Sequence, residues 1–82
     1  MQSKEIQQLI ETGLPGAVVT VDGDGVHFEA VVVSDQFTDK SLLEQQRMVY
    51  RTLGDRMQSA IHALSMKTYT VTEWEKLAGQ SG

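Results

Sequence analysis

Apolar positions along the 82-residue chain fall into blocks of two different periods. Ile6, Leu9 and Ile10 recur at steps of three and four, the spacing of one helix face. Ser3 can cap this helix with its hydroxyl, and Gly13 with Pro15 stops it at about Thr12. Ala17 to Val21 is short and β-branched, which predicts a strand. His27 to Val33 predicts a second strand. Between them Asp22-Gly23-Asp24-Gly25 is a turn, with glycine for positive φ and aspartate for αL geometry, so the two strands form an antiparallel hairpin. Ser34 to Lys40 is polar, with Phe37 as its apolar anchor.

The next block is helical. Leu42, Leu43, Val49, Tyr50, Leu53, Met57 and Ile61 recur at steps of three, four and seven, with Gly54 dividing the stripe into two pieces. Ser41 caps it, and Glu44 three residues on completes a capping-box pattern. His62 to Thr70 predicts a third strand, and Thr70 or Thr72 caps a last short helix over Glu73 to Ala78, with a frayed tail from Gly79. The order is α-β-β-α-α-β-α. A crossover of more than twenty residues between the second and third strands normally joins parallel neighbours. The expectation is an α+β domain: a three-stranded mixed sheet with helices packed on one face, one domain over residues 1–82 with an ordered core of about 3–78.

Composition narrows the chemistry. There is no cysteine, so a thiolate zinc site, a thiol enzyme and a self-sufficient iron–sulfur protein are excluded. No run approaches the roughly 20 apolar residues of a membrane span, and no leader pattern opens the chain, so a cytoplasmic protein is expected. The net charge of −4 is unevenly spread. Residues 1–39 carry one base and seven acids, whereas residues 40–67 carry five bases and two acids. Arg47, Arg51, Arg56 and Lys67 therefore form either a solvated helix face or a partner or nucleic-acid surface.

The chain's two histidines open consecutive strands. If those strands are parallel neighbours, about 4.8 Å apart, His27 and His62 lie at one end of the sheet. They are then either polar strand-edge residues or half of a tetrahedral metal site. Other chemistries fit poorly. Asp22 and Asp24 serve turn geometry, and Ser65 near Lys67 lacks a third group to make an activated nucleophile. Gly23 and Gly25 precede a strand, not the helix a dinucleotide fingerprint needs. Trp74 with Tyr69 reads as the seat of the last helix.

The stretch Gly23 to Ser34, then Phe37, Leu43 to Tyr50, Ile61 to Thr68 and Glu73-Trp74 resembles the BolA family, most of all its IbaG branch, over about residues 5–76. The resemblance implies a class II KH-like fold and no enzymatic activity. It implies a cytosolic partner, a monothiol glutaredoxin of the CGFS type, with which a bridging 2Fe–2S cluster is held. The glutaredoxin would offer one cysteine and bound glutathione a second thiolate. A histidine matching His62 and a loop ligand, for which His27 is the candidate, would complete the set. Histidine ligation raises cluster potential. Some relatives are described as DNA-binding regulators, and Arg47, Arg51, Arg56 and Lys67 would then face phosphate. Against that stand the net charge and the lack of the Gly-x-x-Gly loop of KH modules. The free protein would be a monomer or weak homodimer. Two departures stand out. Val71 replaces a common proline, which implies a looser start to the last helix. Glu44-Gln45-Gln46-Arg47 replaces a stretch that often carries histidine.

Overall fold

A computed structural model describes residues 2–57 and 63–80. Helix α1 spans Ser3–Gly13, strands β1 and β2 span Val18–Gly23 and Phe28–Val33, and a 3-10 turn covers Asp35–Phe37. Helix α2 spans Leu42–Leu53 and leads into a second 3-10 turn, Gly54–Met57. Strand β3 spans Leu64–Tyr69 and helix α3 spans Val71–Gln80. The sheet order is β1-β2-β3, antiparallel between the first pair and parallel between the second. This is the expected three-stranded mixed sheet of an α+β domain. The expected helical piece toward Ile61 falls on residues that lie outside those described. Among the described residues, no helix is long and apolar enough to cross a membrane.

Strand alternation makes the sheet two-faced. Val19, Phe28, Ala30, Val32, Leu64 and Thr68 are buried on one face, whereas Glu29, Ser65 and Lys67 are exposed on the other. Ile6 and Ile10 from the first helix, Leu14 just past its end, and Val49 and Leu53 from the second helix close over the buried face. Phe37 fills the same core and is fully buried. Six further side chains, Leu9, Ala17, Val21, Met48, Tyr50 and Met66, are partly buried against it.

The second helix departs from its expected phase. Leu42 and Leu43 are exposed, and the buried stripe is Gln45, Val49 and Leu53, at steps of four. A polar residue holds a core position because its amide is fully used. Gln45 Nε2 donates to the Phe37 carbonyl at 3.3 Å and to the Lys40 carbonyl at 3.0 Å. Its Oε1 accepts from Thr68 Oγ1 at 2.6 Å. These bonds tie α2, the preceding loop and β3 together, and no described buried side-chain polar atom is left unpaired.

Helix ends also differ from expectation. Gln2, not Ser3, precedes the first helical residue, because Gln2 has the extended backbone (φ −102, ψ 153) that an N-cap requires. The Glu5 carboxylate accepts from its N–H at 3.3 Å. Gly13 lies inside α1, one residue past the expected stop. A Cβ there would meet Thr52 Cγ2 at 2.5 Å and Cβ at 2.6 Å, so glycine permits the two helices to touch. Ser41 caps α2 as expected, accepting from Glu44 N–H at 3.1 Å. The last helix is longer than expected and includes Gly79. Its start is held from both sides: Thr70 Oγ1 accepts from Glu73 N–H at 3.1 Å, and Glu73 Oε1 accepts from Thr70 N–H at 2.8 Å. The expected looseness from Val71 is offset by this reciprocal pair. The Tyr69 and Trp74 rings stand 5.3 Å apart, seating the helix on the end of β3.

Candidate functional site

The hairpin turn is built by one carboxylate. Asp24 Oδ1 accepts from the N–H groups of Val26 at 2.9 Å and His27 at 2.8 Å, and Asp24 N–H donates to the His27 carbonyl at 3.2 Å. These two backbone bonds, His27 first, hold the Asp24 carboxyl below its usual range; partial desolvation opposes them and the imidazole adds a smaller pull. Gly25 supplies the positive φ of +94, whereas Asp24 acts through its side chain and not through αL backbone. Gly23 is the close-approach glycine, since a Cβ there would meet the His27 carbonyl oxygen at 2.5 Å.

This turn places His27 just ahead of β2, which opens at Phe28, one residue later than expected. Its side chain is 77% exposed. Nδ1 lies 3.9 Å from Asp24 Oδ2, a charge contact beyond hydrogen-bond reach. No other protein partner for the ring exists among the described residues. Asp22, Asp24, Glu29 and His27 border one shallow cleft of about 240 Å³. No three His, Cys, Asp or Glu among the described residues are grouped to hold a metal ion.

His62 lies outside the described residues. Where the chain leaves it is described: Ala63 leads into Leu64, whose register partner is Phe28, the residue after His27. Of the four cations expected to share a patch, Arg47 and Arg51 are exposed one turn apart on α2 and border a cleft with Lys40. Lys67 sits on the open face of the sheet, beside Val31 in register. The helices pack on the other face, so Lys67 does not join Arg47 and Arg51. The Arg56 side chain lies outside the described residues. The turn's second anchor, Asp24, was legible only as a turn former. Gln45 and Thr68 were missed as a pair, although the spacing of Gln45 to Val49 and Leu53 marked it as a core position.

Residues 7–73 match the family model described as BolA-like protein. The chain belongs to the BolA family. The acid stress protein IbaG of Escherichia coli strain K12 is 36% identical over 77 residues, covering 93% of this chain and 92% of the relative. That end-to-end match supports the IbaG-like branch. The DNA-binding transcriptional regulator BolA of Escherichia coli strain K12 is 46% identical over 55 residues, and the match spans only 52% of that regulator. Among solved structures, a BolA homologue from Coxiella burnetii superposes with a TM-score of 0.81 at 50% identity, covering 92% of this chain and 97% of the other.

Proposed function

We propose that this BolA protein is a non-enzymatic, cytoplasmic adaptor. It pairs with a monothiol glutaredoxin of the CGFS type and, in iron–sulfur trafficking or iron regulation, lends His27 and His62 to a shared 2Fe–2S cluster. The observation that carries this reading is the Phe28–Leu64 pairing, because in sequence His27 stands one residue before Phe28 and His62 two residues before Leu64.

The donor set fits such a group. Cluster thiolates must come from elsewhere, since the chain has no cysteine, and glutaredoxin with glutathione would supply them. His27 presents an exposed imidazole with a carboxylate at its Nδ1 side. At 3.9 Å the carboxylate does not bond the ring, and both imidazole nitrogens stay open to a partner. When bound, the cluster would supply one-electron redox capacity, with imidazole ligation raising its potential. Asp24 holds the His27 backbone, so the turn presents the ring from a fixed position.

Mixing the protein with a CGFS glutaredoxin, iron, sulfide and glutathione should yield a heterodimer whose visible spectrum differs from that of the glutaredoxin homodimer. Pulsed EPR on the reduced cluster should show ¹⁵N coupling when this chain alone is labelled with ¹⁵N-histidine. A cluster without nitrogen coupling refutes the ligand assignment.

The name of the Escherichia coli regulator supports a second reading, nucleic-acid binding through exposed Arg47 and Arg51. A labelled duplex would then bind with log affinity falling steeply against log salt. A slope near zero excludes phosphate contacts.

A further inference from the structure

The outer side of the two packed helices carries a groove that the cluster reading does not use. Between α1 and α2 runs a cleft of about 540 Å³ bordered by Glu5, Leu9, Gly13, Arg51 and Thr52. Arg51 also borders a second cleft of about 240 Å³, with Lys40, Glu44, Arg47 and Met48. A third is formed by Gly13, Leu14, Met48, Arg51 and Thr52. The three clefts lie side by side around Arg51, the third sharing Gly13 and Thr52 with the first and Met48 with the second. The floor of the groove is apolar or small, because Gly13 lets Thr52 close the space between the helices.

The rim carries three cations, Lys40, Arg47 and Arg51, and two carboxylates, Glu5 and Glu44. Lys40, Arg47 and Arg51 are all exposed, and among the described residues none of them makes an ion pair. Arg47 and Arg51 stand four residues apart on one helix, an arrangement of like charges that costs helix stability. A protein of net charge −4 thus keeps three unpaired cations around one apolar floor. None of the residues bordering this groove borders the His27 cleft.

We propose that the α1–α2 groove docks an acidic segment of a partner protein. An apolar side chain of that segment would rest on Met48 and Gly13, and flanking carboxylates would meet Lys40, Arg47 and Arg51. Nucleic acid fits less well. Glu5 and Glu44 on the rim repel a continuous phosphate chain, and among the described residues no aromatic ring borders the groove for a base to stack on. A peptide can place carboxylates beside the cations and none beside the glutamates. The groove is independent of the cluster reading and stands or falls without it.

The test uses the full chain, labelled with ¹⁵N, and three probes: a ten-residue peptide of glutamates around two central leucines, the same peptide with serines for the leucines, and a ten-nucleotide oligothymidylate. The leucine peptide should saturably move the amides of Gly13, Met48, Arg51 and Thr52, and added salt should weaken it. The serine peptide should bind more weakly. Arg47→Glu with Arg51→Glu should weaken the leucine peptide by about tenfold or more, while Arg47→Lys retains most of the binding. Circular dichroism on the double variant should match wild type, since both side chains are exposed. The proposal is overturned by any of three results: no saturable shift, shifts centred on Ser65 and Lys67, or tighter binding of the oligonucleotide at the same amides.

Discussion

The Gln45–Thr68 pair makes a quantitative demand on the fold. Gln45 is 8% exposed and Thr68 9%, so water replaces little of what either loses. Gln45→Leu removes three hydrogen bonds and leaves the Thr68 hydroxyl and two backbone carbonyls without these partners. A hydrogen bond contributes about 0.5–1.5 kcal/mol net, and a buried group left unsatisfied costs about 1–3 kcal/mol. With partial rescue at the edge of the core, the loss for Gln45→Leu comes to about 2–4 kcal/mol. In a domain of this size that lowers Tm by roughly 10–25 °C. Thr68→Val keeps the shape and removes the hydroxyl, for about 1–2 kcal/mol. Because both changes break the same bond, the double variant should lose less than the two single losses together, with a coupling of about 1 kcal/mol or more. Urea unfolding of the four proteins, followed by circular dichroism, measures this directly. A Gln45→Leu protein as stable as wild type, or strict additivity in the cycle, refutes the role given to the pair.

Other positions make sharper local predictions. Gly13→Ala should cost about 1–3 kcal/mol by overpacking against Thr52, and Thr52→Ala in the same chain should recover part of it; an unchanged urea midpoint for Gly13→Ala contradicts the close approach. Thr70→Ala should remove the cap of the last helix for about 1 kcal/mol, read as faster amide exchange at Glu73 and its neighbours. Asp24 has a depressed carboxyl, so its contribution to the turn is present above its unfolded pKa and is lost as pH falls through the lower folded value. An NMR titration should place its midpoint below 3.8, the ordinary value, with the Val26 and His27 amides moving at the same midpoint; a midpoint at or above 3.8 argues against the turn bonds.

Much of this architecture was legible because local chemistry and tertiary packing agree. The β-branched runs, the Asp-Gly-Asp-Gly turn and the Ser41 cap each point to the element that forms. The long crossover implied the parallel β2–β3 pair, and that pair is what relates the two histidine positions. What was not legible depends on contacts distant in sequence. Leu42 and Leu43 carry an apolar signal at the start of α2, but the face that meets the sheet is fixed by Gln45 bonding to Thr68, twenty-three residues away. Gly13 looks like a stop signal until Thr52 is seen against it. Lys67 joins the basic run in sequence, yet strand alternation turns it away from Arg47 and Arg51. The His27 side of the candidate site was readable as a residue and not as a geometry, since its exposure and its Asp24 neighbour follow from the turn.

The most direct test of the adaptor reading is an absorbance and circular dichroism titration into a cluster-loaded CGFS glutaredoxin homodimer. Wild type is run beside His62→Ala and His27→Ala. The account predicts a new visible circular dichroism spectrum with wild type, saturating at one chain per glutaredoxin and lost in both variants. A wild-type titration that leaves the homodimer spectrum unchanged contradicts it, and an unchanged response in His62→Ala contradicts the ligand assignment.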